Sequence, residues 1–199
     1  MIPVSSQPEP PDFDVEVRQK GHLWLKKKGI SLNAVPPKAY KPKRYWEHSN
    51  KQLYDAYSGI CAYLAIHFEW VTGASSTDHF IAKSVDAGGV YEWANYRLAC
   101  LAPNRDKNEF NDVLDPFTLK ADTFILELAS GKIRPSPLLN ATELADALDT
   151  ICRLKLDSPD CDKMRSERFK RYITGACNEQ MLRELSPFVW YEAKRQGLL

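Results

Sequence analysis

The central part of the chain, residues 76–111, contains two short stretches with strand-like patterns, a turn between them and a polar segment after them. Residues 76–84 alternate apolar and polar positions, and residues 91–98 are rich in aromatic side chains, as in strands. The glycine-containing segment 87–89 is a turn signal. Pro103 opens the polar segment, and proline is favoured in the first turn of a helix. The pattern predicts strand, loop, strand and helix in that order.

Helical periodicity surrounds this unit on both sides. The segments with that periodicity are residues 46–58, 142–154, 160–173 and 181–195. Pro187 divides the last segment, and residues 124–134 predict a small hairpin. In segment 160–173 the basic residues, among them Arg165, are expected mostly on the outer face. We therefore expect an α+β protein in which a strand–strand–helix core is embedded in a mainly helical chain.

The N-terminal residues differ in composition from the rest of the chain. Residues 1–12 contain four prolines, which is typical of an extended arm or a disordered tail. Residues 30–44 form a proline- and lysine-rich connector with two interpretations, a solvated linker or a strip that contacts a phosphate backbone. We divide the chain into an N-terminal arm (residues 1–45), a core (residues 46–112) and a helical C-terminal region packed on the core (residues 113–199).

The formal net charge of +1 conceals two segments of opposite sign. Residues 18–54 contain ten Lys or Arg and one acidic residue, whereas residues 111–162 contain ten acidic and five basic residues. Such separation matters more for binding than the total charge does. The basic side chains expected to contact nucleic acid are Lys26, Lys27, Lys28, Lys41, Lys43 and Arg44.

Three features of the sequence bear on location. No apolar run approaches the ~18 residues of a membrane span. The N-terminal segment lacks the charged and apolar regions of a signal peptide. The five cysteines form no close-set disulfide framework. We expect a cytoplasmic protein with reduced thiols and no membrane partner.

The strand–strand–helix unit carries one carboxylate, one imidazole and two carboxamides, which are Asp78, His79, Asn95 and Asn104. Phosphodiester hydrolysis needs an activated water and a cation at the developing charge. An imidazole with a pKa near ~6.5 can accept a proton from water. Oxygen ligands such as Asp78 and Asn104 suit a hard cation that keeps several waters. Asn95 is suited to bracing a loop, because a carboxamide can bond to both of its sides.

Taken singly, these residues have ordinary explanations. A His beside an Asp is usually a hydrogen-bonded pair on the surface or in the core, and an Asn before a strand is usually a turn residue. Neighbouring strand residues also face opposite sides of a sheet. Asp78 and His79 therefore reach one site only if the backbone bends between them, as it does at a bulge.

In order and spacing, the set resembles the HNH (ββα-metal) endonucleases in their His-Asn-Asn variant. That family has Asp-His on the first strand, a middle Asn, and a final His or Asn on the helix. Here Asn95 lies 16 residues after His79, Asn104 lies nine after Asn95, and Lys107 fits the common ending Asn-x-x-Lys. The resemblance implies a DNA endonuclease that depends on Mg²⁺ or Mn²⁺. It implies catalytic roles for His79, Asn95 and Lys107, and metal binding by Asp78 and Asn104.

The resemblance covers residues 57–111 and departs from the family at a structural zinc. Many HNH domains bind zinc with two Cys-x-x-Cys pairs. This chain keeps only Cys61 and Cys100 and has Leu64 and Pro103 in the other two places. A closed zinc site needs about four nitrogen or sulfur ligands. We therefore expect no structural zinc, with Leu64 extending an apolar core beside two buried thiols.

Outside the core, the chain is more loosely similar to small bacterial HNH proteins of anti-phage defence, including the Septu-type nucleases that partner an ATPase. That likeness implies a role in defence and an ATPase partner in addition to DNA. The alternative is a non-catalytic module that binds nucleic acid or builds a complex on a degenerate HNH scaffold. A sequence-specific homing or restriction enzyme would need a dedicated reading element, and we find none.

Overall fold

The computed structural model describes residues 1–199 and contains seven α-helices and two small antiparallel sheets. Strands β1 (Ser75–His79) and β2 (Tyr96–Cys100) form one sheet, and β3 (Phe124–Glu127) and β4 (Lys132–Pro135) form the other. The helices are α1 (Lys20–Lys27), α2 (Asn50–Ala56), α3 (Leu101–Lys107), α4 (Ala141–Leu154), α5 (Pro159–Ile173), α6 (Glu179–Leu185) and α7 (Pro187–Arg195). This confirms the predicted α+β class. None of the helices is both long enough and apolar enough to cross a membrane.

The β1–β2 sheet lies between two hydrophobic clusters. The strands pair antiparallel over their whole length without a bulge. Because successive strand residues face opposite sides, Tyr96 and Leu98 belong to one cluster and Ala99 belongs to the other. The smaller cluster also includes Phe13, Val17, Leu25, Trp46, Leu53 and Tyr91. The larger cluster unites residues from β3, β4 and the C-terminal helices, among them Leu126, Ile133, Ile151, Leu154, Phe188 and Val189.

The N-terminal residues are built into these clusters. Residues 1–10 form neither helix nor strand, and the Val4 N–H donates to the Pro116 carbonyl (2.9 Å). Met1 packs in the larger cluster, while Phe13, which is 0% exposed, packs in the smaller one. Of the two interpretations of residues 1–12, the arm is the one observed, and it is docked along the protein. A π-helical turn (Asp14–Gln19) then leads directly into α1.

Most predicted elements occur, with three changes near the sheet, the first being that the strand predicted over residues 76–84 ends at His79. Residues 91–98 are only partly a strand, because two short 3₁₀ turns, Gly89–Tyr91 and Trp93–Asn95, precede β2. The predicted helix at residues 46–58 divides into a 3₁₀ turn (Tyr45–Ser49) and α2. In these last two places aromatic side chains are drawn into the smaller cluster, and this tertiary packing overrides the local pattern.

The prediction that Arg165 lies on the outer face of α5 is wrong, since this side chain is only 2% exposed. Its guanidinium donates to the carbonyl oxygens of Leu156 (2.7 Å) and Gly131 (3.2 Å). It also lies 3.4 Å from a carboxylate oxygen of Asp162. Arg165 thus joins α5 to the turn between β3 and β4. A guanidinium presents several N–H donors, so it can satisfy backbone carbonyls in a place where water is excluded.

The contact between the β3–β4 turn and α5 can be tested with two glycines that have similar backbone angles. Gly131 has φ of 78°, and an added Cβ would lie 1.9 Å from the Asp162 carbonyl oxygen. Gly175 has φ of 74° and open space around it. We expect Gly175→Ala to lower the free energy of unfolding by about 1–2 kcal/mol through backbone strain alone. Gly131→Ala should cost a further ~1–3 kcal/mol from overpacking.

Urea denaturation of both variants measures this difference. Equal losses in the two variants would show that the turn does not press against α5.

Candidate active site

The candidate site is built on β1, β2 and α3, which follow one another as strand, strand and helix. Asp78 and His79 end β1, and Asn95 immediately precedes β2. Strand β2 runs directly into α3, which packs against both strands and carries Asn104 and Lys107. Residues three apart on a helix share one face. The fold thus places Asp78, His79 and Asn95 at one end of the sheet, where Lys107 contacts Asp78, while Asn104 lies one helical turn earlier on α3 beside Ser76 and Thr77.

Asp78 is held by contacts on both carboxylate oxygens. The Tyr63 hydroxyl donates to Oδ2, and the Lys107 ammonium lies 3.3 Å from Oδ1. The residue is only 2% exposed. Burial raises the pKa of Asp78, while the charge of Lys107 and the hydrogen bond from Tyr63 act in the opposite direction. A buried carboxylate is costly unless it is paired and hydrogen-bonded, and these two groups provide both.

His79 lies in an aromatic cage on the other side of β1. Its ring makes edge contacts with Trp46 and Tyr96, each at a centroid distance of 5.0 Å. Nε2 lies 3.0 Å from the Val90 carbonyl oxygen, whereas the buried Nδ1 has no hydrogen-bond partner. Burial lowers the pKa of His79 to about 3, and the positive charge of Lys83 adds to the effect. The imidazole is therefore neutral at physiological pH.

Hydrogen bonding defines the tautomer of this imidazole. A carbonyl oxygen only accepts, so Nε2 must carry the proton that is donated to Val90. Nδ1 is then unprotonated and keeps its lone pair. In the folded protein, His79 accordingly presents one basic nitrogen that no protein group occupies.

Asp78 and His79 could reach a common site only if a bulge bent β1 between them, and β1 has no bulge. The register continues without interruption to the pair of His79 and Tyr96. Asp78 accordingly contacts Tyr63 and Lys107, while His79 contacts the aromatic residues of the smaller cluster. The two side chains lie in different environments on opposite sides of the strand, as strand alternation requires.

Asn95 braces the segment that connects β1 to β2. Its Oδ1 accepts from the Ile81 N–H (2.7 Å), and its Nδ2 donates to the carbonyls of Ile81 (3.1 Å) and Gly89 (2.9 Å). These bonds tie the start of the segment to its far side, next to Val90. Because Val90 supplies the carbonyl that orients His79, Asn95 supports the imidazole indirectly. This is the arrangement that the sequence predicts for a bracing carboxamide.

Lys107, which we expected among the catalytic residues, is completely buried. Besides its contact with Asp78, its ammonium donates to the carbonyls of His79 (3.1 Å) and Phe80 (2.9 Å). With its donors directed to protein groups and no exposed surface, it does not reach a substrate. The structure therefore gives Lys107 a positioning role, in which it holds the end of β1 against α3.

A cleft of about 740 Å³ opens beside this unit. Strand β1 contributes Ser76 and Thr77 to its lining, α3 contributes Asn104, and the segment after β1 contributes Lys83. Trp46 also lines the cleft, so one aromatic ring contacts both the cleft and His79. Of the predicted site residues only Asn104 lines the cleft; His79 is separated from it by Trp46, and Asp78, Asn95 and Lys107 do not line it.

The connector at residues 30–44 forms part of the wall of this cleft. The Gly88 N–H donates to the Leu32 carbonyl (2.8 Å), and the Tyr91 hydroxyl donates to the Lys43 carbonyl (3.0 Å). The connector is thus attached to the segment that holds His79 and is not a free linker. Of the basic residues predicted to bind nucleic acid, Lys41 and Arg44 line the cleft.

The other predicted nucleic-acid contacts lie elsewhere. Lys26 lines a separate groove with Leu23 and Leu32. Lys28 lies over the Trp24 ring at 6.0 Å, and Lys43 lies over the Tyr45 ring at 5.1 Å. Lys27 is exposed at the end of α1. The structure brings together only part of the basic set.

Cys61 and Cys100 are adjacent, as their positions in the resemblance suggest. The Cys100 N–H donates to the Cys61 sulfur (3.3 Å). Cys61 is fully buried and Cys100 is half-buried, so the expectation of two buried thiols is met only by Cys61. Leu64 packs against the larger hydrophobic cluster, in line with the apolar role expected for it. No group of three or more His, Cys, Asp or Glu residues is arranged to hold a metal ion.

Two functional candidates were missed by sequence reasoning. Tyr63 belongs to no motif in the sequence, yet its hydroxyl donates to Asp78. Lys83 was not singled out, although it lines the cleft. The available signal for Lys83 was a single cation four residues after His79 in an otherwise uncharged stretch.

Comparisons with known proteins do not assign the chain to a family. No protein-family model matches it, and none of the curated proteins matches it either.

The buried pair of Asp78 and Lys107 leads to a prediction about stability. Replacing Lys107 by Met should lower the free energy of unfolding by about 3–5 kcal/mol, because a buried carboxylate is left without its cation. Adding Asp78→Asn removes the unpaired charge, so the double variant should be more stable than Lys107→Met alone. Chemical denaturation of both single variants and the double variant measures the coupling.

A coupling energy near zero between the two positions would contradict this account of Lys107. In that case the loss in Lys107→Met would come from its two carbonyl contacts alone.

Proposed function

We propose that this protein hydrolyses phosphodiester bonds of DNA at the end of the β1–β2 sheet, next to the cleft. The observation that carries the proposal is the state of His79: a neutral imidazole whose Nε2 is bonded to Val90 and whose Nδ1 has no protein partner. A general base must be unprotonated and must reach the attacking water; Nδ1 meets the first condition but is buried in the free protein, so the proposal requires substrate binding to open the aromatic cage around the ring. The order of Asp78-His79, Asn95 and Asn104 along a strand–strand–helix unit supports the same proposal through its resemblance to HNH endonucleases.

His79 is the general base in this proposal. In the free protein its pKa of about 3 keeps Nδ1 available, although it makes the imidazole a weak base. A bound phosphodiester brings a negative charge close to the ring, and a nearby negative charge raises the pKa of an imidazole. Substrate binding therefore raises the pKa of His79 and makes the imidazole a stronger base when the phosphodiester is bound. Asn95 and Lys107 hold the backbone around the imidazole, so the ring is oriented before the substrate arrives.

The donor atoms of Asp78 and Asn104 fit a hard cation in their chemistry. A carboxylate has about four lone-pair sites, and Tyr63 and Lys107 each contact one oxygen. Asn104 adds an amide oxygen at the lining of the cleft. Mg²⁺ needs only one or two protein carboxylates and keeps several waters. Asp78 and Asn104 are the residues that would hold Mg²⁺ or Mn²⁺; Asn104 lines the cleft, whereas Asp78 is enclosed on the side of β1 away from His79, so binding would require its carboxylate to be uncovered. Such an ion, when bound, stabilises charge that develops on the phosphate.

The charge of the cleft suits a DNA backbone. Lys38, Lys41, Arg44 and Lys83 line it, against one acidic residue, Glu109. Cationic side chains in a cleft attract phosphates and fix the register of a nucleic acid without reading its sequence. A role in anti-phage defence and an ATPase partner remain proposals that depend only on the looser resemblance outside the core.

A second candidate is a non-catalytic DNA-binding module. The burial of Asp78 and its pairing with Lys107 favour it, because a carboxylate enclosed in this way can be purely structural. Both candidates bind DNA at the same cleft. Only the endonuclease needs the unprotonated Nδ1 of His79, so substituting His79 distinguishes the two candidates.

Replacing His79 by Ala should reduce DNA cleavage at least ~100-fold while DNA binding persists, since a general base contributes roughly 10²–10⁴-fold. His48→Ala is the matched control, because His48 is exposed and contacts only Asp12 (3.0 Å) among acidic groups. Plasmid cleavage with Mg²⁺, and with EDTA added, provides the measurement. Equal cleavage by wild-type protein and a folded His79→Ala variant would refute the role of His79.

The assignment of Asn104 makes a separate prediction about the metal. Asn104→Ala should raise the Mg²⁺ concentration needed for half-maximal cleavage, whereas Asn104→Asp keeps an oxygen ligand and should retain metal binding. Electron paramagnetic resonance of added Mn²⁺ measures binding independently of activity. The same Mn²⁺ affinity in Asn104→Ala and wild-type protein would exclude Asn104 as a ligand.

A further inference from the structure

Lys83 has no acidic partner, as is also true of Lys38 and Lys41 in the cleft lining, but of these three only Lys83 lies over an aromatic ring. Arg44 pairs with Glu47 (2.6 Å), Arg97 pairs with Asp115 (2.7 Å), and Lys107 pairs with Asp78. Lys83 makes no such ion pair, and its ammonium lies 4.9 Å from the centre of the Trp46 ring. The side chain is exposed, yet it stands in the concave lining of the cleft. Its charge is directed to a place where a ligand would bind.

The surroundings of Lys83 favour an anion. Partial desolvation in the cleft lowers the pKa of Lys83; the charges of Arg44 and Lys107 act in the same direction, and Asp78 opposes them. Cations gathered in one cleft repel one another, and a bound anion relieves that repulsion. The anion would gain a charge-assisted hydrogen bond from the ammonium, which is among the stronger types of hydrogen bond.

Trp46 connects this cation to the candidate base. One ring bears the Lys83 ammonium and also makes an edge contact with His79 at 5.0 Å. The ring restricts where the flexible lysine places its charge. Ser76 and Asn104 supply neutral polar groups to the same cleft. An anion bound by Lys83 would therefore lie in the cleft beside Trp46, the ring that also contacts the imidazole.

We propose that Lys83 is the phosphate-positioning residue of this cleft, and that it binds a non-bridging oxygen of a phosphodiester so that the phosphorus atom lies near His79. The catalytic part of this proposal depends on the proposed endonuclease function. The anion-binding site itself stands on the geometry of Lys83, Trp46 and the cleft. Lys41 and Arg44, on the connector, would contact the flanking phosphates of the same strand.

The first experiment tests the anion site without activity. A dinucleotide with one phosphodiester is titrated into protein with ¹³C-labelled lysines, and NMR follows the Cε signals. The Lys83 signal should shift and saturate, while that of Lys163, which is exposed on α5, should not. Lys83→Met identifies the signal and should abolish the saturable shift. A Lys83 signal that moves no more than that of Lys163 would overturn the proposal.

The second experiment tests positioning. Lys83→Met keeps an apolar stem over Trp46, so we expect its melting temperature to stay near that of wild-type protein. At saturating DNA, its kcat should fall about 100-fold, the effect expected when a reacting group is misplaced by about 1 Å. Lys83→Arg keeps the charge and should recover most of the activity, and Lys163→Met should cleave as wild-type protein does.

The outcomes separate the two proposals. Wild-type cleavage by Lys83→Met would overturn the role of Lys83 and leave the endonuclease proposal intact. If the wild-type protein cleaves no DNA but the Lys83 signal still saturates with the dinucleotide, the anion site stands and the endonuclease proposal fails. Equal loss of kcat in Lys83→Met and Lys83→Arg, together with lowered melting temperatures, would show a structural role and contradict positioning.

Discussion

The buried contact between Asp78 and Lys107 is the constraint on which the rest of the site depends. It joins the end of β1 to the end of α3, although Asp78 and Lys107 lie 29 positions apart in the chain. Tyr63, from the larger hydrophobic cluster, donates to the same carboxylate. Charges enclosed in this way are tolerated only when they are paired and hydrogen-bonded. The strand and the helix therefore have one arrangement in which these groups are satisfied, and that arrangement positions the residues around the cleft.

Because successive strand residues face opposite sides, Asp78 and His79 have different surroundings and different roles. Asp78 faces the structural contacts, and His79, the next residue, faces the aromatic cage and the Val90 carbonyl. The ammonium of Lys107 also bonds to the His79 carbonyl, so the same group that neutralises the carboxylate fixes the backbone of His79. Asn95 closes the other end of the connecting segment. The free nitrogen of His79 results from packing and hydrogen bonding together.

The parts of the site that the sequence predicted are those encoded by local spacing. The order of strand, strand and helix and the bracing role suited to Asn95 follow from short-range pattern and residue chemistry. The burial of Lys107 could not be predicted, because its partners lie on β1 and are set by tertiary packing. The same holds for Arg165, whose acceptors belong partly to another element. The position of the connector depends on hydrogen bonds to residues some fifty positions away, which no local pattern reveals.

The central claim is that folding leaves one unprotonated, unpartnered imidazole nitrogen, buried behind the Trp46 ring that lines a basic cleft. The most direct test is ¹⁵N NMR of histidine-labelled protein at pH 7, with His79→Ala to assign the signals. The account predicts that His79 is neutral with the proton on Nε2, so that Nδ1 resonates as a non-protonated imidazole nitrogen. An imidazolium at pH 7, or the tautomer with the proton on Nδ1, would contradict it.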